Sequence, residues 1–128
     1  MKIASCIAAA LACAASPALA TSTILCRSTI SPSDGPSLSL IAGSGAVGGI
    51  FRAQFDLGNE RFITGEGASA PVIAQSWFDE RQLKLEIADA NAEAIILRLD
   101  TRRRAGSSYS GILIHRGRTW RVRCGEEG

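Results

Sequence analysis

The stretch DERQLKLEIADANAEAIILRL, residues 79–99, reads in two ways, and the choice between them sets the fold class. As a helix it opens on Asp79-x-x-Gln82, a capping pattern, and places Leu83, Ile87, Ala90, Ala94 and Leu97 at helical spacing. That helix leaves Leu85, Ile95 and Leu99 in water. As a hairpin, Leu83, Leu85 and Ile87 alternate with Gln82, Lys84 and Glu86, the chain turns at Asp89-Ala90-Asn91, and Glu93 to Leu99 returns. The hairpin buries all three residues that the helix strands, so the hairpin is the preferred reading.

Working outward, the same two-residue period recurs. In Arg118 to Cys124, Trp120, Val122 and Cys124 share one face, and Thr119, Arg121 and Arg123 the other. Phe51, Ala53 and Phe55 alternate with Arg52, Gln54 and Asp56. Ile24 to Ile30, Ser37 to Ala42, Arg61 to Thr64, Val72 to Phe78 and Tyr109 to His115 complete the strand set. Between them lie Ser31 to Pro36, Gly58-Asn59 and Arg116-Gly117, all good turn chemistry. The expectation is an all-β fold: one small antiparallel domain of eight or nine strands, an up-and-down barrel or a sandwich. Leu83, Leu85, Ile87, Trp120 and Val122 are expected in its core, and the aromatics Trp77, Phe78 and Tyr109 join them there.

The chain begins with an export signal. Lys2 supplies the positive end, Ile3 to Ala15 an apolar run broken by Ser5, and Ala18-Leu19-Ala20 a small-x-small cleavage site. The run is too short to span a bilayer and no second apolar stretch follows, so no membrane span is expected. Residues 1–20 are read as signal peptide and 21–128 as a single β domain, periplasmic or secreted. A rival reading places a lipid on Cys13, but leucine is wanted three residues earlier, where Ala10 stands. Cleavage after Ala20 removes Cys6 and Cys13 and leaves Cys26 and Cys124, which an oxidising compartment pairs. Parity puts both sulfurs on the apolar side, and a bridge between the first and last strands brings those strands together.

Chemical motifs are sparse. Gly43-Ser44-Gly45-Ala46-Val47-Gly48 spells a dinucleotide fingerprint, but that motif needs a helix directly after it, and a strand pattern follows here. Gly106-Ser107-Ser108-Tyr109-Ser110-Gly111 misses the nucleophile elbow by one residue. His115 is the single histidine, placed beside a turn and read as a surface residue. One histidine and no spare thiols make a poor metal site. Asp79-Glu80 and Glu126-Glu127 are adjacent pairs, in a turn and a tail, and adjacency does not set two carboxyls across a scissile bond. No catalytic residue, metal or cofactor is expected.

Charge is uneven although the formal total is only +2. Eight arginines and one acid, Asp100, lie between Arg98 and Arg123. The sharpest run, Arg102-Arg103-Arg104, is placed in a loop, followed by the flexible Ala105 to Ser108. Guanidinium groups at such a site suit an anionic envelope component. Nucleic acid is not expected of a near-neutral exported chain with a single tyrosine. The four residues Gly106 to Tyr109 resemble a loop of the periplasmic inhibitors of c-type lysozyme. The family's second motif, a lysine–glycine step, has only Arg116-Gly117 as its counterpart, close to the final cysteine. The resemblance implies a protein partner held by Ser107, Ser108 and Tyr109. Two functions therefore stand: a non-enzymatic binding module for a small ligand or an anionic partner, using Arg102, Arg103 and Arg104, or a protein inhibitor using the neighbouring serines and tyrosine.

Overall fold

In a computed structural model, residues 21–43, 49–104 and 106–127 are described, and they contain no helix. Nine strands follow in order: β1 (Thr21–Ser28), β2 (Ser37–Gly43), β3 (Gly49–Leu57), β4 (Glu60–Ile63), β5 (Val72–Phe78), β6 (Gln82–Ala88), β7 (Ile95–Arg103), β8 (Tyr109–His115) and β9 (Arg118–Glu127). The contested stretch is the β6–β7 hairpin. Leu83 faces Thr101, Leu85 faces Leu99 and Ile87 faces Leu97.

One antiparallel sheet holds all nine strands in the order β4-β3-β2-β1-β9-β8-β7-β6-β5 and curls into a half-barrel. Each strand pairs with its sequence neighbour, except that β1 pairs with β9 and β4 does not pair with β5. The first and last strands thus meet at the centre of the sheet. Cys26 and Cys124 stand directly opposite each other there, joined as a disulfide with Cα atoms 4.0 Å apart.

The concave face is filled. Leu38, Leu40, Ala53, Phe55, Leu83 and Ile87 are wholly buried in one cluster that also takes in the disulfide. At about 25 cal/mol for each Å² of apolar surface buried, such a cluster is the main source of stability. Inward polar groups are matched, as when the Thr101 hydroxyl donates to the Leu83 carbonyl at 2.9 Å. At the β8–β9 turn, Arg116 (φ 50°) and Gly117 (φ 75°) both take left-handed backbone, the combination a two-residue hairpin needs.

Several residues depart from simple alternation. Ile41 faces Arg52 while Ala42 faces Ile50, so Phe51 is an extra residue in β3 and points to solvent, 58% exposed. A bulge of this kind shifts the phase of all that precedes it. Ile50, not Phe51, is therefore inside. A second bulge at Ile96 leaves Ile95 exposed, contrary to the expectation that the hairpin buries it. Trp77 is also outside the core, 57% exposed on edge strand β5, and Trp120 is only half-buried. Glu126 and Glu127 belong to β9 and are not a tail.

His115 is the largest correction. It is buried, not at the surface, and lies 4.7 Å from the Phe55 ring. Its Nδ1 donates at 2.7 Å to the carbonyl of Ile96, the residue at the second bulge, and its Nε2 lies 3.1 Å from Glu60 Oε1. Arg116 binds the same oxygen at 3.0 Å. These contacts, the His115 hydrogen bond foremost, hold the Glu60 carboxyl below its ordinary pKa. They tie β4 to the β8–β9 turn across the mouth of the half-barrel.

Candidate functional site

The convex face collects the outward positions of β1, β9, β8 and β7, and its centre is basic. Arg27 of β1 stands directly opposite Arg123 of β9, Arg123 opposite Ser110 of β8, and Ser110 opposite Arg102 of β7. Neighbouring strands lie about 4.8 Å apart, so this single row spans roughly 14 Å from Arg27 to Arg102. Arg121 lies two residues from Arg123 on the same face. With Arg104 and Ser110 it lines a shallow hollow floored by Gly111 and Val122. Gly111 cannot carry a side chain there, because a Cβ would lie about 2.0 Å from the Asp100 carbonyl oxygen.

Most other basic residues have acidic partners. Arg61 meets Asp56 at 2.7 Å, Arg98 meets Glu86 at 3.4 Å, Lys84 meets Asp100 at 3.8 Å, and Arg52 pairs with Glu66. Arg118 lies over the Trp120 ring at 4.9 Å. Among the described residues, none of Arg27, Arg102, Arg104, Arg121 and Arg123 meets a carboxylate within ion-pair distance. Two like charges directly across a strand pair are destabilising. The Arg27–Arg123 pair carries that penalty beside the disulfide, at the middle of the sheet.

The residues singled out from the sequence divide. Arg102 and Arg103 lie in β7 rather than in a loop, because pairing with Ser110 and Tyr109 carries the strand past Leu99. Arg102 faces outward into the row, and Arg104, just past the strand, joins the hollow. Arg103 instead braces the turn, its Nε donating to the Gly106 carbonyl at 2.9 Å. Tyr109 is buried beside Phe78, and its hydroxyl donates to the Asp79 carbonyl at 2.6 Å. Burial raises its pKa. Ser107 is exposed and Ser108 half-buried, with the Ser108 carbonyl accepting from the Arg104 amide. The row members Arg27 and Ser110 were missed. Strand parity marks both as outward, but only the pairing of β1 with β9 brings Arg27 next to Arg123.

On β5 to β7, Trp77, Gln75, Gln82, Lys84 and Glu86 line a second, larger groove. The indole Nε1 donates to Asp79 Oδ2 at 2.8 Å, and Asp79 Oδ1 accepts from the amides of Arg81 (2.7 Å) and Gln82 (2.9 Å). The Arg81 amide, the indole and the Gln82 amide together lower the Asp79 pKa.

Elsewhere, of the Gly43 to Gly48 motif only Gly43 is described. It ends β2, and residues 44–48 lie outside the described residues, with strand β3 next in line. No group of three or more metal-ligating side chains comes together among the described residues. Nor is any helix there long and apolar enough to cross a membrane. In comparisons with known proteins, no family model matches the chain, and no curated protein or solved structure matches it significantly.

Proposed function

We propose that this is an exported, non-enzymatic binding domain that holds an anionic partner on the arginine row of its convex face. One observation carries the reading: Arg27 and Arg123 oppose each other, with Arg102 in the same row and no carboxylate paired to any of them among the described residues. Exposed like charges placed side by side lower stability, and such local conflicts concentrate where function requires them. Guanidinium groups bind phosphate, sulfate and carboxylate oxygens in a fork, and Ser110 adds a hydroxyl between two of them.

Two further features support a surface over an internal site. The concave side is packed with Leu, Ile and Phe side chains, which favours an outer partner over a small apolar ligand within the sheet. His115 has both ring nitrogens engaged and is buried, which argues against its use as a general base. The turn at Gly106 to Ser108 offers an inhibitor-like loop only Ser107 and Ser108, since Tyr109 is inside.

Equilibrium binding to inorganic polyphosphate at several salt concentrations tests the proposal. Affinity is expected to fall steeply with salt. Replacing Arg27, Arg102 and Arg123 together by serine is expected to reduce the slope of log affinity against log salt by about two to three. An unchanged slope and affinity in the triple variant would place the site elsewhere.

A further inference from the structure

We propose that the anionic partner is a glycan, stacked on Trp77 at one side of the convex face while its charged groups reach the arginines at the other. This deepens the reading of the arginine row and rests on it.

Trp77 combines exposure with a fixed orientation. More than half of it meets solvent, yet its indole is tied to Asp79, whose carboxylate is itself held by two backbone amides. A broad apolar ring that loses little conformational freedom on binding makes a good stacking platform. Its surroundings mix apolar surface with hydrogen-bonding groups. Gln75, Gln82, Lys84 and Glu86 line the same hollow with amide, ammonium and carboxylate groups. An apolar platform rimmed by hydrogen-bonding side chains matches a pyranose, which presents C–H bonds on its face and hydroxyls around its edge. The two ion pairs at the rim, Lys84–Asp100 and Arg98–Glu86, are long and partly exposed, so hydroxyls can exchange with them at modest cost.

The two features share one row of the sheet. Trp77 faces Lys84, Lys84 faces Asp100, Asp100 faces Ile112 and Ile112 faces Arg121. Four strand spacings put the platform about 19 Å from Arg121. That distance calls for an extended ligand of several units with acidic groups toward one end. A single sugar or a lone phosphate cannot touch both.

Titration calorimetry with two probes separates this inference from the broader one. The probes are a heparin-derived hexasaccharide, which is a sulfated glycan, and linear inorganic polyphosphate, which has no sugar. The hexasaccharide is expected to bind the wild-type protein. Trp77→Ala is expected to weaken it about tenfold, equivalent to about 1.4 kcal/mol, while Trp77→Phe keeps most of the affinity. Polyphosphate binding is expected to be the same in all three proteins. In a Trp120→Phe background, which leaves Trp77 as the sole tryptophan, the hexasaccharide should change the tryptophan emission excited at its red edge, where Tyr109 does not absorb, and polyphosphate should not. That reading does not depend on Trp77→Ala folding. Hexasaccharide affinity within twofold of wild type in folded Trp77→Ala overturns the glycan proposal. So does binding of polyphosphate without the hexasaccharide, which leaves the arginine row standing as a site for a different polyanion. If neither probe binds, both readings fall.

Discussion

Arg27 and Arg123 face each other where a designer would place opposite charges, and this one pair separates stability from function. Arg27→Glu turns repulsion into a cross-strand attraction. It is expected to raise the unfolding free energy by up to about 1 kcal/mol in urea titrations and to weaken polyanion binding at the same time. A gain in stability with binding unchanged would argue that the row is mere solvation. Glu60 gives a second residue-scale test. Its folded pKa lies below the unfolded value, so its contribution is present above the ordinary glutamate range and is lost as pH falls through the folded value. Wild-type stability is therefore expected to drop more steeply than that of Glu60→Gln on acidification below that range, as followed by thermal unfolding at a series of pH values. His115→Ala removes a buried ring packed on Phe55 together with its two hydrogen bonds, and a loss of about 2–4 kcal/mol is expected in the same titration. The inward place of His115 was legible in principle, since it continues the parity of Tyr109 and Leu113. Its partners were not, because the Ile96 carbonyl depends on the β7 bulge and Glu60, on the far strand β4, reaches it only through the curl of the sheet.

At the scale of elements, alternation located every strand, and the hairpin of β6 and β7 followed from counting which reading buries Leu85 and Leu99. What alternation could not show was the bulges. An extra residue at Phe51 or Ile96 changes the phase without changing composition, so Phe51 and Ile95 look like core residues in sequence and are solvent-facing in the fold. β7 also runs further than its apolar residues suggest. Arg102 and Arg103 are strand residues because the backbone of β8 continues to pair with them, while Arg102 itself needs only water or a partner on its outer side. The seam between β1 and β9 holds the element-level prediction. Cys26 and Cys124 are separated by 98 residues, so their bridge closes nearly all of the described chain into one loop. Replacing both by serine is expected to lower stability by about 4–5 kcal/mol in urea titration, with a strand-dominated circular dichroism spectrum kept in the absence of denaturant. A loss under about 1 kcal/mol would mean that residual structure already holds the ends of the unfolded chain together without the bridge.

Taken as a whole molecule, the half-barrel assigns different work to its two faces. The concave face spends its positions on packing, and the β4–His115 contact closes one end, so little of it is open to a ligand. The convex face is a set of strands whose outward residues are under no packing demand, which is why its charges are informative. A bridge between the first and last strands was readable from two cysteines and parity. The break in the ladder between β4 and β5 was not, because nothing local in the sequence marks either strand as a sheet edge. The most direct test of the arginine row is amide chemical-shift mapping by ¹H–¹⁵N NMR during titration with inorganic polyphosphate. Shifts centred on Arg27, Arg102, Ser110 and Arg123, and absent from the concave strand faces, are the expected result. Shifts confined to Gly106 to Ser108, or an unperturbed spectrum at saturating polyphosphate, would contradict it.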